Sequence, residues 1–147
     1  MADVYEVHLA LDLPDSLPAP DLDLLRWHLG EEGGRADGDA YEHPLWAARG
    51  PAWRIGGVLI GELVARDGGW ALTVRQETHP DEFDDLRRMV RWLGARTTTP
   101  GLMGHLRFHE SHVPDLLTVE GGRVGGTLLR VDRTVPSANE AIPGPYA

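Results

Sequence analysis

Residues 4–13 read Val-Tyr-Glu-Val-His-Leu-Ala-Leu-Asp-Leu. Tyr5, Val7, Leu9 and Leu11 alternate with Glu6, His8, Ala10 and Asp12, and a period of two puts each set on its own side of a strand. The stretch predicts an opening β-strand with one apolar, buried face and one polar face. Pro14, Pro18 and Pro20 then break the pattern, since proline brings no N–H to a ladder.

Working outward, Asp21 is expected to cap a short helix through Leu29, with Leu22, Leu25 and Leu29 on one side and Gly30 as the stop. Residues 30–52, rich in Gly, Asp, Glu and Pro, read as a long loop beside a cluster of Tyr41, Trp46 and Trp53. Two strands between Trp53 and Thr78 meet at Arg66-Asp67-Gly68-Gly69, a sequence suited to the positive φ angles of a hairpin turn. The second helix has the clearest signals. Thr78 or His79 caps it, Pro80 enters the first turn, and Asp81 and Glu82 face the positive end of the dipole. Arg87, Arg88 and Arg91 face the negative end, and Gly94 ends it. Phe83, Leu86, Met89, Val90 and Leu93 form its apolar stripe.

A strand over 103–110 follows the loop Thr97–Gly101. A last hairpin joins 116–120 to 123–132 across Gly121-Gly122. The run Gly121-Gly122-Arg123-Val124-Gly125-Gly126 lacks G-x-G-x-x-G spacing and opens no helix, so it reads as a hairpin turn rather than a phosphate loop. The order β-α-β-β-α-β plus a hairpin matches an α+β, ferredoxin-like split βαβ motif: an antiparallel sheet, two helices on one face, and an extra C-terminal β-hairpin. Residues 1–134 form one domain in this reading, and 135–147, with three prolines, a loosely held tail.

Composition narrows the chemistry. The chain has 147 residues and no cysteine, which excludes a thiolate nucleophile and a zinc–sulfur site. All 14 basic residues are arginine, so neither a Schiff-base lysine nor a P-loop lysine exists. Ser16, Ser111 and Ser137 lie in no G-x-S-x-G elbow. A net charge of −9 opposes nucleic-acid binding and suits a basic protein partner. The N-terminus does not resemble a signal peptide and no run is long enough to span a membrane, so the expectation is a cytosolic protein without a membrane role. No cofactor is implied.

The sharpest local feature is His105-Leu106-Arg107-Phe108-His109-Glu110-Ser111-His112. On a strand, His105, Arg107 and His109 share the face opposite Leu106 and Phe108. If the first strand lies between the third and fourth, His8 neighbours His105 or His109, with Arg75 and Glu77 on its other side. Such a group reads as a polar sheet face, as acid–base groups near neutral pH, or as metal ligands. Arg107 between the histidines opposes a cation, so no metal is expected. Trp46 and Trp53 either pack the long loop onto the domain or anchor a partner. The acids of residues 12–42, among them Asp37, Asp39 and Glu42, are either a solvated surface or one that meets a basic partner.

The opening Val4-Tyr5-Glu6-Val7-His8 and the C-terminal Gly104-His105-Leu106-Arg107-Phe108, followed by a hairpin ending Leu129-Arg130-Val131-Asp132, resemble small immunity proteins of bacterial polymorphic toxin systems. The resemblance covers the two ends of the chain; the middle shares only element order. It implies a compact cytosolic α+β protein that occludes a cognate toxin. Asp37, Asp39 and Glu42 would then steer association while Trp46 and Trp53 anchor it. The rival expectation is a small enzyme or ligand binder using His8, Arg75, Glu77, His105 and His109. A homodimer formed through the same face is a third.

Overall fold

The alternation at residues 4–13 becomes the strand β1, Tyr5–Pro14, and everything else is arranged around it. The computed structural model describes residues 3–32 and 41–129. After β1 come α1 (Ala19–His28), β2 (Gly50–Pro51), β3 (Val58–Arg66) and β4 (Gly69–Thr78). A 3₁₀ turn (Pro80–Glu82) leads into α2 (Phe83–Gly94), then β5 (Gly101–Phe108), β6 (Asp115–Glu120) and β7 (Arg123–Leu128). The protein is α+β, with two helices and a seven-stranded sheet in the order β2-β3-β4-β1-β5-β6-β7. Every pairing is antiparallel. Among the described residues no helix is long and apolar enough to cross a membrane.

This sheet is larger than a plain split βαβ motif with a hairpin. The added strand is Gly50–Pro51, which pairs with Leu59 and Val58 inside the stretch expected to be all loop. Two residues are too few to leave a periodic signal. The expected tail, 135–147, and the end of the expected last strand lie outside the described residues, as do Asp37 and Asp39.

Val7, Leu9, Leu11 and Leu13 of β1 pack with Leu72 and Val74 of β4 into one core. The buried residues of both helices join the same cluster: Leu25 from α1, and Leu86, Met89, Val90 and Leu93 from α2. Tyr5 and Phe108, expected in this core, instead form an aromatic group at its end with Phe83, ring centroids 4.9 and 5.2 Å from Tyr5. The expected N-terminal signals act at the 3₁₀ turn that leads into α2, where His79 is the N-cap and the Glu82 carboxylate accepts its N–H at 3.3 Å. At α1 they do not. Pro18 is the N-cap, and Asp21, one turn in, pairs with Arg96 at 2.9 Å.

The long loop is built into the fold. Trp46 is 0% exposed and Tyr41 and Leu45 are buried with it. Arg49 holds the segment by donating to the carbonyls of Trp46 and Leu29, both at 2.8 Å, and of Gly61 at 2.6 Å. Gly61 permits this approach, because a Cβ there would lie 2.8 Å from the Trp46 carbonyl oxygen. The loop also places His28 in the core, its Nδ1 accepting the Leu45 N–H at 3.2 Å. Burial pushes the His28 imidazole down to about 4, with the charge of Asp85 opposing and that of His43 adding to the fall.

Two expectations follow. Leu9→Ala, at a fully buried position, should lower unfolding stability by about 2–5 kcal/mol, and by more than Leu106→Ala, whose side chain is only partly buried. Urea denaturation of both variants measures the difference. His28 has a folded pKa below its unfolded one, so between pH about 6.5 and about 4 the unfolded chain binds a proton that the folded chain does not. Stability attributable to His28 should therefore be present above that window and fall through it by about 3 kcal/mol. His28→Gln should flatten the fall in a pH series of urea midpoints.

Candidate functional site on the open sheet face

The even-numbered residues of β1 face away from the helices. Register brings them beside like-facing residues of both neighbours: His8 lies opposite Arg75 on β4 and His105 on β5, and Glu6 lies opposite Glu77 and Arg107. The sheet places the first strand between β4 and β5 as expected, and of the two expected neighbours, His105 and His109, it sets His105 beside His8.

The centre of the group is Glu6, which the sequence reading placed on the polar face of the first strand without a role of its own. It is only 7% exposed. One carboxylate oxygen accepts from His105 Nε2 at 2.9 Å and Arg107 Nε at 3.1 Å; the other accepts from Arg75 Nε at 3.0 Å and lies 2.9 Å from Arg75 Nη2. Burial raises the Glu6 carboxyl, but the bonds from His105 and Arg107 and the charges of Arg107 and Arg75 outweigh it and hold it below the usual carboxylate range. His8 stacks on His105, ring centroids 5.2 Å apart. Burial and then the neighbouring His105 lower the His8 pKa, Glu6 opposes, and Arg75 adds to the fall. The shift favours the uncharged form of the His8 imidazole.

Two members of the expected group do other work. The Glu77 carboxylate accepts the backbone N–H groups of Trp53, Arg54 and Ile55 at 2.7, 2.5 and 3.3 Å. It pins the 53–55 turn to the sheet. His109 follows the end of β5, with its ring 4.7 Å from that of Phe108, and its carbonyl accepts from Arg107 at 3.0 Å. It does not join His8 and His105. Among the described residues no three His, Asp or Glu are placed to hold a metal ion.

Apolar side chains surround the charged centre. Ile60 lies opposite Arg75 and Val64 opposite Ala71, so Val58, Ile60 and Val64 of β3 share the face of Arg75. Leu102, opposite Thr118, shares the face of His105. Val58, Val64 and Leu102 are each more than half exposed. Trp53 is 63% exposed beside the same strand edge, with the Arg54 guanidinium 4.3 Å from its ring centroid.

The candidate partner anchors therefore separate. Trp46 is a core residue and offers nothing to a partner, because the loop folds inward around it. Trp53 stands on the surface. Glu42 is exposed, while Asp37 and Asp39 lie outside the described residues. No signal in the sequence marked Glu6 out from Glu77; strand register alone puts one between two arginines and the other under a turn. No protein family, no curated protein and no solved structure matches the chain.

A buried carboxylate with three cationic or hydrogen-bonding partners is sensitive to truncation, whereas an exposed ion pair is worth little. Glu6→Ala should cost about 3 kcal/mol by leaving Arg75 and Arg107 without their counter-charge. Arg66→Ala, which breaks the exposed Arg66–Asp12 pair, should cost under about 1 kcal/mol. Equal effects in chemical denaturation would contradict the central role of Glu6.

Proposed function

We propose that the chain is a binding protein that blocks a basic protein partner, such as a toxin, by covering it with the open face of its sheet. The observation that carries this reading is the gathering of Trp53, Val58, Ile60, Val64 and Leu102 on one face, around a charged centre whose bonds are satisfied internally. Exposed apolar side chains collected on one surface mark an interaction site. A net charge of −9 favours a basic partner and speeds its approach. The likeness of the chain's two ends to immunity proteins points the same way. The order β3-β4-β1-β5, with one helix after β1 and one after β4, supports reading the centre of the sheet as a ferredoxin-like unit extended at both edges.

A second reading, a small enzyme or small-ligand binder, is favoured by one contact: Glu6 orients the His105 ring through Nε2, with His8 stacked beside it. That pair has the form of an acid–base site.

The partner is sought by capture from host lysate at low salt, followed by binding kinetics. Ile60→Glu with Val64→Glu should abolish binding without loss of fold, since both positions face solvent. Trp53→Ala should speed dissociation by about 2 kcal/mol, and Glu42→Gln should slow association slightly and weaken its salt dependence. Recovery of no specific basic protein, together with turnover of a small molecule that His105→Ala abolishes, would replace the binding reading with the enzyme reading. A dimer of the native chain that the Ile60/Val64 variant dissociates would assign the face to a second copy instead.

A further inference from the structure

The helix-side layer is incomplete. α2 and the underside of β5, β6 and β7 enclose a groove of about 250 Å³. Its walls are apolar, formed by Phe83, Leu86 and Val90 from the helix and Leu106, Leu117 and Val124 from the strands. Gly126, opposite Leu117, forms part of the floor, and a Cβ built on it would meet nothing within 4 Å. The space is thus left by a missing side chain and needs no backbone distortion.

Polar chemistry is confined to one lip. Arg87 and Arg91 line the groove from the exposed side of α2. Arg87 pairs with Asp84 at 3.0 Å, and Arg91 has no ion pair among the described residues. The backbone groups of β6 pair on both sides within the β5-β6-β7 ladder and those of β7 pair on its β6 side, all in the sheet plane rather than up into the groove. A peptide laid there would leave its own amide groups unpaired at a cost. An aliphatic chain would not.

We infer that this groove binds a medium-length aliphatic carboxylate, with its chain between α2 and the C-terminal hairpin and its head group on Arg91 and Arg87. The volume exceeds the roughly 150 Å³ cavity that accepts benzene and lies just below the roughly 300 Å³ of pockets for drug-sized ligands. A basic lip on a chain of net charge −9 selects an anionic head locally, where the bulk charge would repel one. The site lies on the opposite side of the sheet from the partner-binding face and stands or falls independently of it.

Decanoate is the probe, titrated into the full chain while the methyl resonances of Val90, Leu106, Leu117 and Val124 are followed by NMR. Saturable shifts confined to these and the other groove-lining methyls, those of Leu86 and Val7, are expected, with none from a decyl trimethylammonium cation. Gly126→Leu should fill the groove, abolish the shifts, and leave the melting temperature unchanged or raised. Arg91→Gln, at an exposed helical position, should weaken decanoate about tenfold by removing a charge-assisted hydrogen bond. Absence of shifts at millimolar decanoate, equal shifts with the cation, or shifts that survive Gly126→Leu would overturn the inference. Tighter decanoate binding by Ile142→Asp would also overturn it, by assigning the groove to the chain's own C-terminal segment.

Discussion

β1 is hydrogen-bonded on both edges, to β4 over its whole length and to β5 over its first half. This double pairing is the constraint on which the rest depends. A slip of one residue would turn Val7, Leu9, Leu11 and Leu13 out of the core and Glu6 and His8 into it. The apolar set closes against both helices, and that burial fixes the register. The register then dictates which polar residues meet on the other face.

What meets there is organised by a single carboxylate. Glu6 joins three strands, and the arginines that hold it reach further. Arg75 also donates to the carbonyls of Gly56, Ile55 and Val58, stapling the approach to β3 against the sheet. Arg107 donates to the carbonyls of His109 and Ser111, both at 3.0 Å, and shapes the turn after β5. A buried ionic group of this kind adds little net stability over an apolar replacement, but it penalises every arrangement in which a member loses its partner. Its effect is to hold the open face, with its apolar border, in one geometry.

The two flanks of the helix layer differ for a related reason. On the β3 side, the segment around Trp46 folds under the sheet edge and is fastened by Arg49 and by Gln76, whose amide donates to the carbonyls of Ala48 and Ile60. On the β7 side, Gly126 brings no side chain to the layer, and the groove beside α2 remains open. The protein therefore presents two surfaces of unlike character: a broad apolar and charged sheet face, and a narrow aliphatic groove with a basic lip.

Much of this was legible in the amino-acid order. Alternation at 4–13 determined β1 and its inward face, the Asp-Gly and Gly-Gly steps determined two hairpins, and the proline, acid and arginine placement around 80–94 determined α2. These signals are local, arising from backbone dihedrals and from periods of two and 3.6 residues. Once a strand order was assumed, His8 was narrowed to a place beside His105 or His109, and the register chose His105. What only the tertiary structure decided was the fate of residues whose local pattern is ambiguous. Trp46 and Trp53 lie seven residues apart in similar company, yet one is core and the other surface, because the loop between them rounds a sheet edge. Glu6 and Glu77 both sit on polar strand faces, yet one is a buried hub and the other a cap for a turn. The partners that decide this are 22 to 24 residues away for Glu77 and about 70 to 100 residues away for Glu6, and no periodicity carries information over such distances.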